Sequence, residues 1–113
     1  MMNELDEFEY INKLYEVYKN GLTDKQIYIM DRYYIYNLSL SEISKEIKIS
    51  RNAVSDAIKH AKLKLIDFEE KFHLLAKIEN LVKMVEKSSL TDKEKKELIE
   101  ALYYGIWGVN RKI

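Results

Sequence analysis

Seven polar residues fall within eleven positions of the chain: Ser50, Arg51, Asn52, Ser55, Asp56, Lys59 and His60. On a helix, steps of three and four gather Asn52, Ser55, Asp56, Lys59 and His60 on one face, with Arg51 at its start. A guanidinium and an ammonium neutralise phosphates, while amide, hydroxyl and carboxylate groups meet base edges. Ser50 stands where it can cap the helix, and the amides it leaves free suit a phosphate. A solvated helix face is the competing reading, because Asp56 sits among the bases and Lys+Arg 19 balances Asp+Glu 19. The charge is unevenly spread. From Lys45 to Lys64 six bases face only Glu46 and Asp56, whereas the first twenty residues are acidic.

Catalytic chemistry finds no comparable cluster. With no cysteine there is no thiolate nucleophile or thiolate metal site, and neither glycine-rich phosphate loop nor HExxH helix is present. His60 and His73 lack a second ligand at metal spacing, so no metal and no cofactor are expected and the chain reads as a non-enzyme. The tyrosines, nine in all, offer rings for base stacking, but Tyr10, Tyr15, Tyr18, Tyr28, Tyr33, Tyr34 and Tyr36 recur at helical spacing and are assigned to packing.

The polar face needs elements to hold it. Ser39-Leu40-Ser41-Glu42 is a capping box opening a short helix to Ile47, Lys48-Ile49 turns the chain, and a second helix starts at Arg51. Ile43, Ile47, Ile49, Val54 and Ile58 occupy the positions where two crossing helices and their turn must be filled. This spacing predicts a helix-turn-helix at about 40–64. Upstream, apolar steps predict a helix over roughly Asn3 to Asn20. Thr23 with Gln26 forms a capping box for a helix running to about Tyr36.

Downstream of Arg51 no breaker appears before Ser88-Ser89. Val54, Ile58, Ala61, Leu65, Phe68, Phe72 and Leu75 step by four and three, and Ile78, Val82 and Val85 extend the seam. Unbroken, that helix would span roughly 55 Å, more than one small domain covers. The exposed part, Leu65 to Val85, therefore calls for helix one, the C-terminal helix or a second copy as cover, and a homodimer is expected. A break near Asp67 to Glu70 would let the chain fold back instead. Thr91 and Glu94 form a third capping box, for a closing helix with Leu98, Ile99, Leu102 and Tyr103 inward. Ile106, Trp107 and Val109 are expected to pack on the bundle or on a partner.

At 113 residues, with 47% hydrophobic and 34% charged residues, the chain suits a single all-helical domain, 1–113. It lacks an apolar run long enough for a membrane span, and its acidic start does not resemble a signal peptide. A cytoplasmic protein without a membrane partner is expected.

Leu22-Thr23-Asp24-Lys25-Gln26, Tyr33-Tyr34, Leu38-Ser39-Leu40-Ser41-Glu42-Ile43-Ser44 and Ile49-Ser50-Arg51-Asn52-Ala53-Val54 together resemble the YlxM family of small bacterial proteins. The resemblance covers about Leu14 to Leu75. The same stretch is similar to region 4 of bacterial sigma factors, the part that reads promoter DNA. This resemblance implies an all-helical regulatory or accessory protein whose gene accompanies that of the signal recognition particle GTPase. DNA or the particle's RNA is then the expected partner, and the alternative is a module that docks the GTPase without touching nucleic acid. Two positions depart from the usual helix-turn-helix: Lys48, where glycine is common, and Ser44, where alanine is usual. A non-glycine residue at positive φ costs about 1 kcal/mol, which predicts a looser or differently shaped turn.

Overall fold

Each helix begins at a side chain that satisfies its first amides. In the computed structural model, which describes residues 3–104, Asn3 accepts from the Asp6 amide at 2.8 Å and opens α1, Glu4–Tyr18. A 3-10 turn, Lys19–Gly21, follows. The Thr23/Gln26 box then starts α2, Asp24–Met30. Ser39/Glu42 starts α3, Leu40–Ile47, and Ser50 caps α4, Arg51–Phe72, by accepting from the Ala53 amide at 3.0 Å. Beyond α5, Leu74–Glu86, Thr91 and Glu94 exchange bonds of 3.0 and 3.1 Å at the start of α6, Asp92–Tyr104. All three expected capping boxes form, and each cap stabilises its helix by about 1 kcal/mol. The described residues contain no strand. Ile106, Trp107 and Val109 lie outside them.

α4 is the axis of the bundle. Its stripe of Val54, Ile58, Ala61 and Leu65 is buried against α1, α2 and α3. From α1 come Ile11, Leu14, Tyr15, Val17 and Tyr18, from α2 Ile29 and Met30, and from α3 Ile43. The tyrosines divide in a way their spacing did not foretell. Tyr15, Tyr18 and Tyr34 are buried and Tyr10 and Tyr33 half-buried, while Tyr28 and Tyr36 stay exposed on either side of Arg32.

Two helix ends depart from the sequence-based expectation. The second helix does not continue regularly to Tyr36: after Met30 it widens into a π-helical turn, Asp31–Ile35, closed by the Tyr36 amide on the Asp31 carbonyl at 3.0 Å. The widening occurs where the Tyr15 hydroxyl donates to Asp31 at 2.6 Å and lies 3.2 Å from the Ile27 carbonyl, a side chain wedged beside the backbone ladder. The expected long helix is likewise two helices. His73 takes a left-handed conformation, φ 55° and ψ 30°, and ends α4 three residues beyond the predicted break zone.

Glu69 explains the break. Its carboxylate accepts from the Leu75 and Ala76 amides at 3.0 and 3.1 Å, and the Tyr18 hydroxyl accepts from the Leu74 amide at 3.0 Å. The start of α5 is thus capped by a residue of α4 and one of α1, which offsets the cost of a non-glycine residue in the left-handed region. Folding back lets α5 pack on α1 and α6 on α5. Leu65, Leu75 and Ile78 are buried within one chain, Phe68, Val82 and Val85 are half-buried, and Phe72 remains 53% exposed. A second copy is not needed to cover most of the seam.

Candidate nucleic-acid interface

The turn between α3 and α4 forms tightly despite its unusual residues. Lys48 adopts φ 58° and ψ 44°, the left-handed conformation for which glycine is the common choice. Both the Lys48 and Ile49 amides return to the Ser44 carbonyl, and the Ser44 hydroxyl donates to the Ile49 carbonyl at 2.5 Å. The looser turn expected from these two departures is not found, because Ser44 supplies a bond that alanine could not make. Ile43, Val54 and Ile58 are buried as predicted, with Ile47 and Ile49 half-buried over the turn.

A polar clamp fixes α3 on its other side. Arg32 donates through Nε to Glu46 at 2.8 Å, Tyr28 donates its hydroxyl to the same carboxylate oxygen, and the guanidinium lies 3.9 Å from the Tyr28 ring centre. The bond from Tyr28, reinforced by the one from Arg32, holds the Glu46 carboxyl below the ordinary carboxylate range. Arg32 is therefore spent on positioning α3.

With its frame held on both sides, α4 turns its polar face to solvent. Arg51, Asn52, Asp56, Lys59 and His60 are exposed, Ser55 is half-buried, and Ser50 is exposed with its oxygen engaged in the cap. Leu40, Ser50, Arg51, Asn52 and Ser55 line an open cavity of about 510 Å³ between the starts of α3 and α4. None of Arg51, Asn52, Ser55, Asp56, Lys59 and His60 spends its side chain on a hydrogen bond or ion pair with the described residues. Other cations of the same helix are occupied: Lys62 pairs with Glu7 at 3.6 Å, Lys71 with Asp67 at 2.9 Å, and Lys64 donates to Gln26 at 3.5 Å. Along α4, the free hydrogen-bonding groups of the first three turns thus lie on the face that the residue types singled out.

Two contributions escaped the residue-type argument. Leu63, 64% exposed, lies seven residues beyond Asp56 and extends the outward line with an apolar side chain. Lys45 and Lys48 are exposed beside the turn and enlarge the positive rim. Their signal was present in the local excess of bases. Among the described residues no three His, Cys, Asp or Glu side chains cluster in a way that could hold a metal. No helix among them is long and apolar enough to cross a membrane.

Comparison with known proteins agrees with this architecture. The family model described as "Putative helix-turn-helix protein, YlxM / p13 like" matches residues 5–103. A UPF0122 protein of Oceanobacillus iheyensis is 44% identical over 100 residues, covering 87% of this chain and 95% of the relative. Another, from Mycoplasma capricolum, is 36% identical over 105 residues and covers 93% of each chain. A third, from Caldanaerobacter subterraneus, is 43% identical over 82 residues, 73% of this chain and 70% of its own. A match that begins in α1 and ends in α6 takes in the turn, the α4 face and the hairpin that follows, and the chain belongs to the UPF0122 family of YlxM/p13-like helix-turn-helix proteins.

Proposed function

We propose that this protein is a cytoplasmic, non-catalytic regulatory or accessory factor that binds nucleic acid through the outer face of α4. The observation that carries this reading is the set of side chains on that face, Arg51 to His60, left without intramolecular partners while Lys62 and Lys71 of the same helix are paired. Phosphate contacts fall to Arg51 and Lys59, and base-edge contacts to Asn52, Ser55, Asp56 and His60, with the start of α4 behind Ser50 near a phosphate. The YlxM resemblance adds the signal recognition particle pathway and makes its RNA a ligand to set beside promoter-like DNA. The modest local charge supports micromolar, strongly salt-dependent affinity unless two copies bind together. Homodimerisation is part of this proposal, with Phe72, Val82 and Val85 as the portion of the seam open to a second copy. A monomer mass at tens of micromolar would remove it.

The test is a salt series of binding to a duplex pool and to the particle's RNA, with Arg51→Ala/Lys59→Ala as control. Binding that weakens with salt and fails in the double variant is the expected result. Equal binding by the variant would move the contact elsewhere.

One observation favours the alternative of a protein-docking module. Tyr18, Gly21, Phe68, Phe72 and Leu74 line an open apolar cavity of about 340 Å³, away from the α4 face. If the signal recognition particle GTPase docks there, Leu74→Ser, which leaves the Phe72, Val82 and Val85 seam intact, abolishes its capture while nucleic-acid binding is unchanged.

A further inference from the structure

We infer that Asp56 sets base preference, accepting a hydrogen bond from a cytosine amino group in the major groove of duplex DNA. This rests on the nucleic-acid reading above and deepens it by naming the polymer and the base. At about 100° per residue, Asp56 points almost directly away from the buried stripe of Val54, Ile58, Ala61 and Leu65. It therefore occupies the centre of the face, with Asn52, Lys59 and His60 one turn away. Ser55 lies about 100° round the helix from it, toward the cavity that Leu40 and Arg51 also line. A surface laid on the centre of this face lies over Asp56.

A carboxylate at that position is selective about what it can touch. It only accepts hydrogen bonds, and a phosphate against it would be repelled. Neither Lys59 nor His60 neutralises it, although each lies one helical turn away. The major groove of B-form DNA admits a helix, whereas that of an A-form RNA duplex is too narrow for side chains to read. In that groove guanine presents two acceptors and thymine one, all repulsive to Asp56. Adenine offers an amino donor beside the N7 acceptor, which opposes the second carboxylate oxygen. Cytosine carries no acceptor of its own beside its amino donor, only a C–H, so it is the base Asp56 accommodates. The acid that dilutes the positive patch thereby gains a purpose, trading phosphate affinity for sequence choice.

Selection from a random duplex pool by the wild-type protein, Asp56→Asn and Asp56→Ala tests this, followed by salt titration of the enriched sites. The wild type is expected to enrich cytosine at one position per site, with a roughly tenfold loss when that base is changed. Asp56→Asn should move the preference at that position to adenine, and Asp56→Ala should erase it, both with an unchanged salt slope. If both variants keep the wild-type motif and merely bind every sequence more tightly, Asp56 acts only by repelling phosphate and the inference falls. If none of the three proteins retains duplex DNA at low salt while the wild type still binds the particle's RNA, this inference falls and the nucleic-acid reading stands on RNA; if neither polymer is bound, that reading fails with it. Asp56 is exposed and unpaired, and helical circular dichroism checks that the variants fold.

Discussion

The hydroxyl of Tyr18 in α1 donates to the Glu69 carboxylate in α4 at 2.6 Å, and between them these two side chains receive the first three amides of α5. A helix that would otherwise have to start at an exposed histidine is thus anchored to two others. Tyr18→Phe removes the donor to Glu69 and the acceptor for Leu74, and should lower stability by about 1–3 kcal/mol. Glu69→Ala should cost about 1–2 kcal/mol as a lost cap. Urea denaturation of both variants and of the double variant checks this. Because the two residues share one network, the double cost should fall short of the sum.

The same phenol makes stability fall on the alkaline side. Burial, then the bond to Glu69, pushes Tyr18 up to about 12, and burial raises Tyr15 and Tyr34 as well. An unfolded tyrosine loses its proton near pH 10, so the folded state binds more protons above that point. The contribution is complete below about pH 10 and is lost as pH rises through about 12. Urea midpoints should fall across that window, less steeply in Tyr18→Phe. Glu42, Glu46 and Glu94 work in the opposite sense. Their carboxyls are held below 4.5, chiefly by the Ser39 amide, the Tyr28 hydroxyl and the Thr91 amide respectively. The stability they lend is present above the unfolded carboxylate range and lost as pH falls below it.

Gly21 is required for space. A Cβ there would stand 2.7 Å from one ring carbon of Phe68 and 2.9 Å from another. Because Phe68 is half-buried and stacks on the exposed Phe72 ring, it can partly swing aside. Gly21→Ala should therefore destabilise by only about 1 kcal/mol, at the low end for overpacking. Thermal or urea unfolding measures it; a cost near zero would mean that the ring moves freely.

Local rules made most of the fold legible. The capping boxes at Thr23, Ser39 and Thr91, and the β-branched plug around Ile43 and Val54, depend on residues a few positions apart, which a sequence displays directly. The break at His73 depends on Tyr18, which lies 55 residues upstream, and on a carboxylate reaching forward from Glu69. No periodicity encodes such a meeting. The π-helical turn was hidden for the same reason, since its wedge is Tyr15 of another helix. On the α4 face, residue type identified the outward positions, but only the folded arrangement distinguishes the paired Lys62 and Lys64 from the unpaired Arg51 and Lys59.

Lys48 and Ser44 offer the last test, because they bear on how the α4 face is presented. Lys48 holds φ 58° with a Cβ that crowds the backbone, so Lys48→Gly should stabilise the protein by up to about 1 kcal/mol. Glycine's greater freedom in the unfolded chain subtracts from that gain. Ser44→Ala should cost about 1 kcal/mol, since the Ile49 carbonyl loses the hydroxyl that now reaches it at 2.5 Å. Both act on one turn, so Ser44→Ala should be less harmful in the Lys48→Gly background, where the strain opposed by the hydroxyl is gone. Urea midpoints of the four proteins give the coupling directly. Additive costs would mean that the Ser44 bond and the left-handed residue are independent, and that the turn holds its shape through Ile47 and Ile49 packing alone.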